Sequence, residues 1–381
     1  MRLEVVRAQP TYNMLGSKYL EKRENSVITR GIDTLEFGIL INNYDYMLKN
    51  LIEILEDKKI EAQQKMCNQS ILINKVNFTV FQKGQGVYKY KIECNDFYMC
   101  FLSKEIKNTP QIYIRFYSNY LWEYGYKEAF NKFKEWFSAF NLDSYNVKIS
   151  RVDICSDTDE FEFKSSDSEK MCTRAIKLEK VYIDSENYSN RTFSGFVIGK
   201  GGNLSCRIYN KTLEIKKSNK EWFEDIWKQN GWNGTTTVWR IEFQIRGKVI
   251  KELRICTIEE LEKKLDQVWN YLTAQWLTIR VKSKDSNMSR WKVDKRWKKV
   301  EKANIEYEVS PATREKIIKG SLDSLCAQCG GMLLSIAGIS DSNNLGEAFL
   351  KVVDYCNEKN KRNNTTIKQE IEKRKHRYLN S

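Results

Sequence analysis

The stretch SGFVIGKGGNLSCRIYNKTLEI (194–215) decides how this chain is read. Alternating apolar and polar residues flank GKGGN (199–203), which predicts a β-hairpin with the glycines as its turn. The second arm holds Tyr209 between two cations, Arg207 and Lys211. Read as a strand of period two, it puts all three on one face. A strand tyrosine is ordinarily packing; one flanked by cations can instead be a nucleophile aimed at phosphate. GKGGN can also cradle phosphate through backbone N–H groups.

Two further segments carry the same pattern. RVDICSD (151–157) aligns Asp153, Cys155 and Asp157. WRIEFQIR (239–246) aligns Arg240, Glu242, Gln244 and Arg246, with Ile241, Phe243 and Ile245 on the other side. A sheet with one apolar face and one of Asp, Tyr, Lys, Arg and Glu is either an active floor or a solvated face laced by cross-strand ion pairs. Asp157 and Glu242 in particular could simply pair Arg151 or Arg240.

Further out, DTLEFGILI (33–41) reads as a strand and YDYMLKNLIEILEDKK (44–59) as a helix. Four more strands follow in 74–118, a helix over 123–140, and another short helix in 221–232. No strand signal appears after about residue 257, where helices are expected at 259–276, in 311–357 and in the charged 358–381. The absence of strict βα alternation predicts an α+β fold, a mainly antiparallel sheet covered by helices, followed by a helical C-terminal region. The expected divisions are a lead-in over 1–30, a main domain over 31–256 and a basic helical region over 257–381. Two similar halves are compatible with this order, but no sequence repeat is visible.

Lys and Arg number 64 against 50 Asp and Glu, for a net charge of +14. Polyanions are the favoured partners, nucleic acid first. The single histidine, His376, excludes His-based triads and paired-histidine metal sites. Any metal must then sit on carboxylates, which favours Mg²⁺ or Mn²⁺. No GxxxxGK[ST] occurs, so no nucleotide cofactor is expected. The ten scattered cysteines, an opening MRLEVVRAQP without an apolar core, and the lack of a spanning apolar run point to the cytoplasm and away from membranes. The lone CxxC, Cys326 to Cys329, reads as helix packing rather than zinc. RWKVDKRWKK (290–299) offers Arg290, Lys292, Lys295, Arg296, Lys298 and Lys299 with Trp291 and Trp297. It either tracks a DNA backbone with its tryptophans stacking on bases, or is an amphipathic helix docked on the body.

SRVDICSDTDEF, the glycine turn followed by RIYNK, and VWRIEFQIR, in this order, resemble the Rep_trans family over roughly residues 30–260. These are rolling-circle replication initiators of small plasmids and related relaxases of conjugative elements. The resemblance implies a DNA nicking and joining protein with Tyr209 as nucleophile, Lys211 and Arg207 assisting, and a 5′-phosphotyrosyl link with a free 3′-OH as product. It implies a divalent metal, Mg²⁺ or Mn²⁺, on Asp153 and, with less support, Asp157 and Glu242. It further implies an origin with a hairpin or inverted repeat, a host helicase and a homodimer. One departure stands out: Arg115 lies in IRF where some plasmid initiators carry an acidic residue, which leaves Asp157 or Glu214 as substitutes or weakens the metal. The alternative is a non-catalytic origin-binding regulator on the same fold.

Overall fold

The computed structural model describes residues 26–41, 46–140, 145–184, 191–304, 312, 314 and 322–378. The expected lead-in lies largely outside the described residues, although its last positions already belong to the first strand. The chain divides into two compact units, Met1–Arg314 and Glu315–Ser381.

The first unit is built on one eleven-stranded antiparallel sheet. Its two longest strands, β1 (Ile28–Ile41) and β7 (Tyr145–Thr158), pair with each other at the centre. From β1 the chain passes through helix α1 (Tyr46–Gln64) to an outer edge. It then meanders back through β2 (Gln69–Ile73), β3 (Val76–Val80), β4 (Tyr90–Glu93), β5 (Phe97–Phe101) and β6 (Ile112–Phe116), which pairs with β1. Helix α2 (Ser118–Ser138), broken at Gly125 (φ 73°), leads into β7. A similar excursion then recurs on the other side, with four returning strands instead of five and no α-helix on its outward leg. A short β8 (Met171–Thr173) precedes β9 (Leu178–Asp184) at the far edge, and β10 (Arg191–Ile198), β11 (Leu204–Asn210) and β12 (Trp239–Arg246) return to β7. The two halves are thus alike in topology without sharing sequence.

Alternation along the strands sets the two faces. Leu35, Phe37 and Ile39 of β1 are buried under α2, where Phe37 meets Phe116, Phe130 and Phe133 edge-on at 5.1–5.5 Å. On the β12 side the cover comes from residues beyond 257. Helix α6 (Ile258–Asn270) is capped by Thr257 and Glu260, each side chain accepting from the other's backbone N–H. A π-helical turn, Tyr271–Trp276, follows it. Trp269 and Trp276 pack their rings against Phe243 at 5.7 and 5.9 Å. The expected boundary at 256/257 therefore falls inside the first unit: β12 would otherwise expose Phe243 and its neighbours to water. A strand also occurs where none was expected, β13 (Leu277–Ile279), paired with β8.

GKGGN forms the β10–β11 hairpin turn. Gly199 (φ 72°) and Gly201 (φ 82°) adopt left-handed conformations, and Gly202 N–H donates to Gly199 O at 3.0 Å. Between β11 and β12 lie α3 (Lys211–Ser218) and α4 (Phe223–Gln229), and after β12 come α5 (Lys248–Glu252) and α7 (Lys295–Glu301).

The second unit contains α8 (Leu322–Ile339), α9 (Leu345–Arg362) and α10 (Ile367–Tyr378). Cys326 and Cys329 on α8 are exposed, so packing does not explain the CxxC. Two neighbouring helices offer α8 too little cover for its apolar length, and Met332, Leu334 and Ile339 are exposed as well. No helix among the described residues is long and apolar enough to cross a membrane.

Candidate active site

Five adjacent strands bring polar residues to the face opposite α6, part of which is covered by α3 and α4. Glu36 of β1 lies across from Arg115 of β6 and Arg151 of β7. Asp157 of β7 lies across from Arg240 of β12, and on β11 Arg207 faces Glu242 and Tyr209 faces Arg240. A bulge in β1 between Ile32 and Thr34 lets both Asp33 and Thr34 line the same cavity. That cavity has a volume of about 430 Å³.

Tyr209 is partly exposed at the cavity floor. Its Oη donates to Glu242 Oε2 at 2.9 Å, and Arg207 Nη2 donates to the other oxygen of Glu242. Burial first, then the negative charge of Glu242, hold the tyrosine well above its ordinary pKa. The charge of Glu242 in turn raises Arg207. Opposite Tyr209 on β10 stands Gly195 (φ 154°), where an added Cβ would lie 2.0 Å from Ile208 O. The close approach of β10 to β11 beside the tyrosine requires glycine there.

Lys211 departs from the expected strand face. β11 ends at Asn210, whose side chain accepts from Leu213 N–H at 2.9 Å and starts α3. Lys211 is therefore the first helical residue, not a strand partner of Tyr209. The turn nonetheless leaves its ammonium 5.6 Å from the Tyr209 ring centroid and 4.6 Å from that of Phe223, paired with Glu214. Burial, then Arg240, lowers its pKa.

The three carboxylates expected to hold metal have other partners. Asp157 is fully buried, with Oδ1 accepting from Arg240 Nε at 2.5 Å and Oδ2 from Arg240 Nη2 at 2.7 Å and Trp227 Nε1 at 2.9 Å. Arg240 also donates to Asp33 at 2.5 Å. Burial alone would raise Asp33, but Arg240, Lys211 and Lys220 hold it below the usual carboxylate value. Asp153 accepts from Arg151 Nε at 2.8 Å and Nη2 at 2.5 Å. Burial outweighs this pairing and, with repulsion from Glu242, pushes its pKa up to about 6. Glu242 is taken by Arg207 and Tyr209.

Among the described residues no three His, Cys, Asp or Glu side chains converge as a metal cluster. An arginine rather than a shared cation neutralises each carboxylate, so the set does not fit a preformed divalent-metal site. Glu214, the substitute considered, is held by Lys211 on α3. Asp33, Glu36 and Lys220 join the site although only their neighbours drew attention in sequence, and Arg151, considered as a partner of Asp157 or Glu242, instead pairs with Asp153 and Glu36. Strand parity flags Glu36 and Arg151, whereas no local signal marks a bulge at Asp33 or the reach of Lys220 from the α3–α4 loop.

The basic tryptophan segment is a docked element. Trp297 is fully buried, donates through Nε1 to Thr273 O at 2.8 Å, and cannot stack on bases. Its indole fills the space under the π-helical turn, the amphipathic alternative. Arg296 pairs with Asp294 at 2.7 Å, Lys298 with Glu301 at 2.6 Å and Lys299 with Glu160 at 2.7 Å. Arg290 lies 3.8 Å from Asp285, and Trp291 donates to Asp285 O at 2.6 Å. Lys292 and Lys295 are exposed.

Fold and site together define an antiparallel-sheet protein whose polar face gathers a tyrosine, cations and paired carboxylates around one cavity. No protein-family model matches the chain, and no curated protein does. Among solved structures the chain is similar to a rolling-circle replication initiator protein from Geobacillus stearothermophilus, at 13% identity, with a TM-score of 0.44, over 76% of this chain and 100% of that one.

Proposed function

We propose that the chain cuts and rejoins one DNA strand with Tyr209 as nucleophile, to initiate rolling-circle replication or conjugative transfer. The observation that carries this reading is the Tyr209–Glu242 hydrogen bond at 2.9 Å on the floor of a cation-lined cavity. A phenol held above its ordinary pKa is protonated at neutral pH, so attack on phosphorus needs an acceptor for its proton. Glu242 Oε2 is in place to take it. The new bond joins Tyr209 Oη to phosphorus, the P–O3′ bond breaks, and the leaving 3′ oxygen takes a proton from solvent. Arg207 and Lys211 supply positive charge to the phosphorane. The products are a 5′-phosphotyrosyl link and a free 3′-OH, and the link keeps the phosphodiester energy for rejoining.

A second reading, an origin-binding protein without catalysis, draws support from the arginine held by each carboxylate and from Arg115. One experiment separates the two. Purified protein is incubated with supercoiled plasmid carrying its own element's origin region, in Mg²⁺, Mn²⁺ or EDTA, and denaturing gels detect protein covalently bound to DNA. An adduct that disappears in Tyr209→Phe is the expected result. Binding without an adduct in every arm selects the regulator, and an adduct that survives Tyr209→Phe refutes the assigned nucleophile.

A further inference from the structure

We propose that Arg115 and Lys220 form a second phosphate subsite, which holds a phosphodiester of the same DNA strand next to the one facing Tyr209. This rests on the strand-nicking reading above. A smaller cavity of about 170 Å³ adjoins the main one, and Asp33, Thr34, Arg115 and Lys220 line both. The two cavities thus lie side by side, with Tyr209 lining the larger and Ser118 and Asn119 the smaller.

The two cations of this notch are only loosely compensated: Arg115 by a shared Glu36, and Lys220 through space by Asp33. Arg115 reaches Glu36 Oε1 only at 3.6 Å, and Arg151 already holds that oxygen at 3.2 Å. The Nε of Arg115 is buried without a hydrogen-bond partner. Lys220 Nζ donates to the neutral Ser118 Oγ at 3.0 Å, and no ion pair joins it to a carboxylate among the described residues. The one carboxylate lining the notch, Asp33, is bound to Arg240. The Arg115 Nε is closed to a ligand, but the Arg115 side chain is 34% exposed, so its outer guanidinium N–H groups can take an anionic acceptor. Phosphate suits a guanidinium and an ammonium that share a cavity with hydroxyl and amide side chains. On this view Arg115 does not weaken the site, as its replacement of an acidic residue first suggests. It converts that strand position from attracting cations to attracting the strand itself.

The probe is fluorescein-labelled (dT)₂₀, with binding followed by anisotropy over a KCl series. Each phosphate contact on a single strand contributes about −0.7 to the slope of log K against log[salt]. Arg115→Gln and Lys220→Gln should each flatten the slope by about 0.7, and the double variant by about 1.4. Lys83→Ala, exposed on the β3–β4 loop, is the charge-matched control and should leave the slope unchanged. Thermal melts establish that each variant folds, and Arg115→Lys, which keeps the charge, should retain the slope. Wild-type binding with unchanged slopes in both Gln variants overturns the subsite while leaving the nicking reading intact. A wild type that does not bind the oligonucleotide also overturns the subsite, and the nicking reading then stands or falls on the adduct assay alone.

Discussion

Replacing Asp157 by Asn distinguishes a structural carboxylate from a metal ligand. The change preserves shape and removes charge. In the folded protein Oδ1 accepts one N–H and Oδ2 accepts two, from Arg240 and Trp227. An asparagine has one carbonyl oxygen and one NH₂, so at least one donor of Arg240 must face another donor. If the NH₂ takes the Oδ2 position, Trp227 Nε1 is stranded too. Asp157 and Arg240 are both fully buried, so water cannot replace the lost bonds. Removing one partner of a buried pair costs about 3–5 kcal/mol. Asp33 still contacts Arg240, which places the expected loss nearer 3 than 5 on that scale. At roughly 2 °C per kcal/mol for a unit of this size, the melting midpoint should fall by about 6–10 °C. Urea unfolding followed by circular dichroism gives the free energy, and the same preparations give adduct yield across a Mn²⁺ series. The expected outcome is lost stability with an unchanged Mn²⁺ dependence among the molecules that remain folded. A variant as stable as wild type that needs much more Mn²⁺ would refute the reasoning and return Asp157 to the metal.

Three other outcomes follow from the same contacts. Trp297→Ala should cost about 3–5 kcal/mol in urea unfolding, as for other large buried aromatics, whereas Trp291→Ala should cost about 1 kcal/mol or less. Equal losses, or a DNA-affinity defect in Trp297→Ala without loss of stability, would restore the stacking role. Burial pushes the Asp153 carboxyl up to about 6, above the ordinary aspartate value near 3.8, so the folded protein binds its proton more tightly. Stability should therefore fall by roughly 2–3 kcal/mol as pH rises from about 4 to about 7, over and above the background of other groups. Asp153→Asn should lack that component in paired urea titrations, and an identical pH slope in both proteins would contradict it. Mn²⁺ titrated calorimetrically into DNA-free protein should give no saturable heat, because each carboxylate already has a cationic partner; a stoichiometric isotherm would show a preformed site.

The sheet, and the face carrying the site, were legible because both depend on period two. RVDICSD, CRIYNK and WRIEFQIR alternate strongly enough that each polar residue can be assigned a side, and the register then sets Arg207 against Glu242 and Tyr209 against Arg240. Parity fails where the backbone leaves the strand. Lys211 belongs by count with Arg207 and Tyr209, but Asn210 caps a helix before it, and the lysine returns to the tyrosine by another route. Asp33 belongs by count to the core face, and a bulge turns it toward Arg240. Trp297 shows the same limit in the helical region. Its basic neighbours mark the exposed side of α7, and the tryptophan is on the buried side because the π-helical turn beneath it needs filling.

Parity also cannot say what a carboxylate is bound to, and in this site the partner determines the chemistry. Asp153, Asp157 and Glu242 share a face and look interchangeable as ligands in sequence. The register separates them. Asp157 faces Arg240 across one strand pair and is locked by it; Asp153 turns along its own strand to Arg151; Glu242 faces Arg207 and reaches Tyr209. Of the three, only Glu242 touches the tyrosine, and the arginine beside it has its side chain 49% exposed. An entering phosphate can therefore reach Arg207 from solvent, since the arginine is the open half of its pair with the buried Glu242. Transfer of Arg207 to the phosphate would leave Glu242 with only the Tyr209 proton to accept. That would tie proton removal to phosphate binding, because the phosphate would then hold one of the two groups that now donate to Glu242 and leave it the other.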